Sequence, residues 1–155
     1  MRKYLSSRSS HRYVARLLCV ALLGAGGSCA MASDDREAGH ALFTGAAPLT
    51  GRMLTHPGDL PANVIRCANC HAPETGPAVR NSIAPRLTRN WLVDLQSRRG
   101  GPPSRYDQEG FCTMLRDGVD PAYVLLNVEM PRYRISDGDC AALWHFLTGA
   151  RNGPA

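Results

Sequence analysis

The sequence predicts an all-α fold made of short helices. No run of alternating apolar and polar residues is long enough to indicate a half-buried strand. Capping residues and glycines instead bound several short segments with helical periodicity. Prolines and glycines fill the stretches between these segments, which predicts loops.

The first 32 residues have the composition of an export signal that is removed from the mature chain. Five basic residues precede a short apolar core at residues 17–23, and small residues follow at 30–32. The core is shorter than the about 20 apolar residues that a membrane span needs. We therefore expect a signal peptide at residues 1–32, one mature domain at residues 33–155, and no membrane span after cleavage. A lipidated Cys29 is the alternative processing site.

The formal charge of +5 belongs to this expected signal. All thirteen acidic residues follow Ala32, whereas only thirteen of the eighteen basic residues do. The mature chain is therefore close to neutral. A neutral chain lacks the basic face that nucleic acid requires, so we expect no nucleic-acid partner.

The mature chain is expected to begin with a helix at residues 35–44. Ser33 and the acids after it suit a helix start, and Gly45 suits its end. Residues 46–61 are rich in Gly, Pro and Thr and predict a loop. A second short helix is expected at residues 63–70.

The second half of the chain begins with a segment in which a long helix is excluded. Three prolines fall between residues 72 and 87, and weak helical structure resumes at Trp91. Asp107 is a suitable cap for a helix that Gly118 ends. Ser136 is a suitable cap for the last helix, which Gly149 ends.

Residues 67–71 read Cys-Ala-Asn-Cys-His, a C-x-x-C-H run. Two thiols on one turn can add to the two vinyl groups of a porphyrin, and the adjacent His71 can ligate the iron. A zinc site would need two more Cys or His ligands at close spacing, and a redox dithiol would need a βαβ setting. Neither is present, so the run predicts one haem c attached through Cys67 and Cys70, with the helices wrapped around it.

Met130 is the candidate for the second axial ligand of the iron. It lies immediately before Pro131, which stiffens the chain where a ligand must be held. A thioether ligand raises the reduction potential and closes the iron to substrates. The alternative role for Met130 is an ordinary core methionine. The other candidate ligands are Met53, Met114, His40, His145 and, next after Met130, His56 in a loop.

Pro85 is a candidate acceptor for the second ring nitrogen of His71. A proline offers only its carbonyl, and such a bond would fix the imidazole in one tautomer. Pro85 is equally suited to turn the chain, and Pro77 competes for the same role. No single partner of the haem propionates is chosen from the loop residues that suit them, which are Arg86, Arg89, Trp91, Arg98, Arg99, Arg105 and Tyr106.

Cys112 and Cys140 are the cysteines that remain once the export signal and the haem motif are set aside. In an oxidising compartment two remaining thiols are expected to form a disulfide. Two separate buried cysteines, each acting as a small apolar residue, are the alternative.

Taken together, these features resemble the class I monohaem cytochromes c of the bacterial periplasm. The resemblance rests on residues 67–71, on Ala-Pro-Arg-Leu at residues 84–87 where that family usually has Gly-Pro-x-Leu, on Met130 with Pro131, and on the last helix. It implies that one haem edge is exposed and that electrons pass through that edge. It also implies that Gly39 and Phe43 of the first helix cross Leu143 and Trp144 of the last.

The expected function is that of a periplasmic one-electron carrier rather than an enzyme. Its His/Met-ligated iron would alternate between Fe(II) and Fe(III). The expected partners are redox proteins, such as a membrane oxidase or a periplasmic dehydrogenase. The alternatives are a haem-bearing subunit of a periplasmic dehydrogenase or sulfur-oxidising complex, and a haem-based sensor or peroxidase with an open sixth position.

Overall fold

The computed structural model describes residues 27–149, apart from residues 75, 78 and 80–83. The basic residues and apolar core of the expected signal, together with Cys19, lie outside the described residues, and so does the side chain of Cys29. The chain divides into two compact units, Met1–Asp34 and Asp35–Ala155. The second unit carries every site discussed below. Within the described residues, no helix combines the length and the apolar character needed to cross a membrane.

Helices are the main regular structure of the described chain. They are α1 (Gly27–Thr44), α2 (Ala62–Ile65), α3 (Arg89–Val93), α4 (Gln108–Asp117) and α5 (Asp137–Thr148), with a single 3-10 turn at Cys67–Asn69.

The prediction of an all-α, class I cytochrome c-like helical domain is wrong, because the chain also forms a two-stranded antiparallel sheet. Strand β1 (Thr50–Arg52) pairs with β2 (Arg132–Arg134), with Gly51 opposite Tyr133. Three residues are too few to show the alternation that reveals a strand in a sequence. The described chain is thus a small mixed fold of five α-helices and this sheet.

Close backbone approach explains why a glycine-containing loop segment forms β1. A Cβ added to Gly51 would lie 2.8 Å from the Arg132 carbonyl oxygen and 3.2 Å from the Tyr133 ring. Only glycine lets the two strands come together at this point. The pairing joins segments that are far apart in the sequence, so no local pattern predicts it.

The two helices predicted from their caps are confirmed. The Asp107 side chain accepts a hydrogen bond from the Gly110 amide (2.7 Å), and α4 ends at Gly118 with φ 73°. The Ser136 hydroxyl accepts from the Asp139 amide (3.0 Å) at the start of α5. Each side-chain oxygen satisfies one amide that has no partner within its helix.

Helix α1 differs from its prediction at one end only. It ends at Thr44, followed by Gly45 with φ 82°, as expected. It begins at Gly27 rather than at residue 35, so the expected cap Ser33 lies within the helix. Serine is only mildly unfavourable inside a helix, and continued backbone hydrogen bonding outweighs the local preference.

Helices α1 and α5 meet at a glycine. A Cβ added to Gly39 would lie 2.1 Å from the Ala142 carbonyl oxygen and 2.7 Å from the Phe146 Cβ. The rings of Phe43 and Phe146 lie 5.5 Å apart beside this contact. At this crossing Gly39 approaches Ala142 and Phe146, and Phe43 approaches Phe146.

A disulfide joins α4 to α5. It links Cys112 and Cys140, whose Cα atoms lie 5.9 Å apart, and both residues are buried. The bridge closes the segment between the two helices, which contains β2 and Met130.

Candidate functional site

A cavity of about 800 Å³ lies inside the second unit. This volume is within the range of about 300–1,000 Å³ that cofactor pockets occupy. Both cysteines of the C-x-x-C-H run, His71 and Met130 line this one cavity. Much of the remaining wall is apolar and includes Phe43, Ile65, Leu92, Phe111, Leu115, Leu143 and Leu147.

The two thiols of the motif are carried by the 3-10 turn rather than by the helix that was expected over residues 63–70. The amides of Cys70 and His71 both donate to the Cys67 carbonyl, at 3.1 and 2.9 Å. Cys67 is buried and Cys70 is exposed. Burial raises the pKa of the Cys67 thiol to about 11. Neither thiol belongs to a disulfide in the structure.

Asn69 explains why the helix breaks before the motif. Its side-chain amide donates to the carbonyls of Asn63 (2.9 Å) and Val64 (2.8 Å), which belong to α2. Its side-chain oxygen accepts from Arg66 Nε at 2.6 Å. Arg66 has extended backbone angles, so α2 stops and the chain turns tightly into Cys67. Asn69, one of the two residues between the cysteines, thereby fixes the turn that carries both thiols.

His71 is held in one orientation by a backbone carbonyl. Its Nδ1 lies 2.8 Å from the Pro85 oxygen, which is the first of the two roles considered for Pro85. A carbonyl can only accept, so Nδ1 carries the proton and the lone pair lies on Nε2. Burial lowers the pKa of His71, against an opposing contribution from the Pro85 hydrogen bond. A buried, neutral imidazole with an available Nε2 is the form that ligates a metal.

Three methionines line the cavity: Met53, Met114 and Met130. Met114 is fixed within α4, whereas Met130 is half-buried in the loop that precedes β2. The histidine candidates His40, His56 and His145 are not among the residues that line this cavity. The wall of the cavity therefore includes Met130 but not His56.

Tyr133 belongs to the site, although no pattern in the sequence singled it out as a site residue. It lies in β2, lines the cavity, and donates its hydroxyl to the Ile65 carbonyl at 2.6 Å. Against the larger effect of burial, which raises the pKa of the Cys67 thiol, interaction with the Tyr133 side chain lowers it. Burial raises the pKa of the Tyr133 hydroxyl. Tyr133 therefore connects β2 to the turn that carries the motif.

Among the residues considered for the propionates, Trp91, Arg99 and Tyr106 line the cavity. Arg99 pairs with the buried Asp120. Arg98 does not line the cavity: it is 2% exposed, with its guanidinium carbon 5.3 and 5.2 Å from the ring centres of Trp91 and Tyr106.

Arg86 and Arg89 are used elsewhere in the fold. Arg86 donates to three carbonyls of the Pro73–Gly76 stretch, at 2.6 to 3.2 Å. Arg89 donates to the Thr148 carbonyl at 2.8 Å. Arg105 is exposed and is not among the residues that line the cavity.

The donor set fits a covalently bound haem better than a metal ion held by side chains alone. Across the described residues, no group of three or more His, Cys, Asp or Glu side chains is placed to hold a metal ion. Two thiols, one oriented imidazole and one thioether around a large apolar cavity are instead groups that can attach and ligate a haem. Comparisons with protein-family models, with curated proteins and with solved structures find no match for this chain.

Proposed function

We propose that this protein is a periplasmic electron carrier that holds one haem c through thioether bonds to Cys67 and Cys70. The observation that carries the proposal is that both thiols, His71 and Met130 line one cavity of about 800 Å³. Every residue that attachment and His/Met ligation need is therefore present around a space suited to a cofactor.

The roles of the residues follow from their chemistry. Each thiol would add across one vinyl double bond, with its sulfur on one carbon and its hydrogen on the other, so no oxidant is needed. His71 would ligate through Nε2, because its Nδ1 is engaged by the Pro85 carbonyl. Met130 would occupy the other axial position and keep substrates from the iron. The bound haem supplies a one-electron Fe(II)/Fe(III) couple.

Exposed groups beside the cavity support transfer of electrons to other proteins. Cys70 is exposed, and the cavity-lining residues Val64, Leu125 and Val128 are 49%, 68% and 49% exposed. An apolar border of this kind lets a redox partner approach closely and exclude water. The same border would suit a permanent haem subunit of a periplasmic dehydrogenase or sulfur-oxidising complex. Purification of the native protein with or without a larger chain distinguishes these two functions.

Production of the full chain in a bacterial host with a cytochrome maturation system tests attachment. We expect a red periplasmic protein whose mass includes one haem and whose colour survives denaturation. The Cys67→Ser/Cys70→Ser variant should lose the covalent haem, whereas Cys112→Ser/Cys140→Ser, the matched control, should keep it. A colourless wild-type product with the Cys67 and Cys70 thiols open to alkylation would contradict the proposal.

The axial ligand is tested by the weak long-wavelength band that thioether ligation gives to ferric haem. We expect Met130→Ala to abolish this band and Met53→Ala, a change at another residue of the cavity wall, to retain it. Survival of the band in Met130→Ala would show that another residue is the ligand. Its loss in Met53→Ala alone would assign the role to Met53.

A further inference from the structure

We propose that Arg132 is a positioning residue, which fixes the segment 118–130 so that Met130 is held at the cavity. The inference rests on the proposed function, in which Met130 is an axial ligand. Three observations support it: the carbonyls that Arg132 binds, the glycine on which its side chain lies, and the strand that holds its backbone.

Arg132 binds the segment that carries Met130 at two carbonyls. Its Nη1 donates to the carbonyl of Met130 itself at 2.5 Å, and its Nη2 makes a longer contact of 3.5 Å with the Leu126 carbonyl. The residue is 6% exposed. Charge-assisted hydrogen bonds of this kind are stronger than neutral ones and are directional. The guanidinium group therefore restrains the backbone of Met130 directly.

Gly118 makes room for this side chain at the other end of the segment. A Cβ added to Gly118 would lie 1.7 Å from Arg132 Nε and 2.0 Å from its Cζ. Gly118 also has φ 73°, which favours glycine for a second reason. The Leu126 amide donates to the Gly118 carbonyl at 2.8 Å. The guanidinium group thus contacts the start, the middle and the end of the segment.

The surroundings of Arg132 set it apart from its neighbours on β2 and α4. Arg116 pairs with Asp137, and Arg134 pairs with Asp59. No ion pair of the described residues involves Arg132. Because the cost of burying the charge offsets much of what its hydrogen bonds contribute, such a group adds little net stability. Its principal effect is to fix the carbonyls that it binds.

The backbone of Arg132 is itself anchored to the side of the cavity that carries the motif. Its Cα is paired with that of Arg52 across the sheet. The next residue, Tyr133, donates to the Ile65 carbonyl at 2.6 Å, two residues before Cys67. Arg132 therefore ties the backbone of Met130 to the same strand and helix that position the thiols.

Competition by an added ligand measures how firmly Met130 is held. Imidazole is titrated at constant pH into ferric holoprotein, and displacement is followed by loss of the thioether band. We expect Arg132→Gln to lower the imidazole concentration at half-displacement about tenfold, the effect of one charge-assisted hydrogen bond. Arg132→Lys, which keeps the charge but cannot span both carbonyls, should show a smaller change. Arg134→Gln on the same strand is the matched control and should leave the value unchanged.

A second measurement separates positioning from general stability. In the Met130→Ala background imidazole meets no thioether, and its binding is followed by the change in the main absorption band of the haem instead. Adding Arg132→Gln there should no longer change imidazole affinity. An effect of equal size in both backgrounds would overturn the proposal. Equal imidazole concentrations at half-displacement for wild type, Arg132→Gln and Arg134→Gln would overturn it too. Failure of both Arg132 variants to fold would also overturn it, because Arg132 would then be needed for the fold as a whole. A wild-type holoprotein without the thioether band would instead refute Met130 ligation itself.

Discussion

At the residue scale, backbone carbonyls hold the side chains of the candidate site. His71 donates to Pro85, Tyr133 to Ile65 and Arg132 to Met130. Changing the side chain of an accepting residue leaves its carbonyl in place, so the donors are the residues to vary. A donor that is removed leaves a buried acceptor without its partner, which costs more than the hydrogen bond itself contributed.

Tyr133→Phe removes one such donor with little change in shape. We expect the free energy of unfolding of the holoprotein to fall by about 1–3 kcal/mol, because the Ile65 carbonyl loses its hydroxyl partner. Urea denaturation followed by circular dichroism measures the change. Tyr123→Phe is the matched control, since Tyr123 is 91% exposed, and its effect should be close to zero. Equal stability of the two variants would contradict this role for Tyr133.

The sequence identified the contiguous motif at residues 67–71 and, more distantly, the candidates Met130 and Pro85, which line the same cavity. Residues 67–71 carry their chemistry in one run, so spacing alone identified them. Tyr133 contacts Ile65, and Arg132 contacts Leu126, only once the chain has folded. No local pattern in the sequence indicates such contacts. The choice among Met53, Met114 and Met130 depended on Pro131, and the cavity is lined by all three methionines.

At the scale of elements, side-chain caps made α4 and α5 predictable, whereas the two strands could not be predicted. Asp107 and Ser136 act on amides three residues away, so the sequence contains the whole interaction. The β1–β2 pair forms between segments separated by most of the domain. The 3-10 turn at Cys67–Asn69 depends on the Asn69 side chain reaching back to Asn63, which helical periodicity does not report.

The crossing of α1 and α5 gives a prediction about a whole element. Gly39→Ala places a methyl group 2.1 Å from the backbone oxygen of Ala142, so the two helices must move apart. We expect a loss of about 1–3 kcal/mol in the free energy of unfolding, the usual cost of overpacking a core. Gly138→Ala is the matched control within α5, because nothing lies within 4 Å of its added Cβ.

Since alanine favours helix by up to about 1 kcal/mol over glycine, the control should be neutral or stabilising. Urea denaturation of both holoprotein variants provides the comparison. A Gly39→Ala variant as stable as Gly138→Ala would show that the two helices do not pack at this glycine.

At the scale of the whole molecule, residues of the hydrophobic core, such as Phe43, Ile65 and Phe111, line the cavity. Residues of α1, α2, α3, α4 and α5 line it, together with β2. A chain of this size buries a modest share of the surface that its unfolded form exposes, which limits the stability of its core. Under the proposed function, the covalent haem completes this core, and the disulfide adds a second covalent restraint on the side of α4 and α5.

The disulfide should stabilise the protein without changing how Met130 ligates the iron. It links positions 28 residues apart, and closing a loop of that length lowers the entropy of the unfolded chain by an amount worth about 3–4 kcal/mol. We expect Cys112→Ala/Cys140→Ala holoprotein to lose roughly this much in the free energy of unfolding, while the thioether band and its displacement by imidazole stay as in the wild type.

Reduced wild type is the control for this effect, because reduced wild type and the double variant both lack the cross-link when unfolded. With reductant present, the two should unfold at nearly the same urea concentration. Because α4 and α5 both border the cavity, the contrary result is equally informative. If removing the bridge eased displacement of Met130 as Arg132→Gln is expected to, the cross-link would be restraining the ligand segment in the folded protein rather than the unfolded chain.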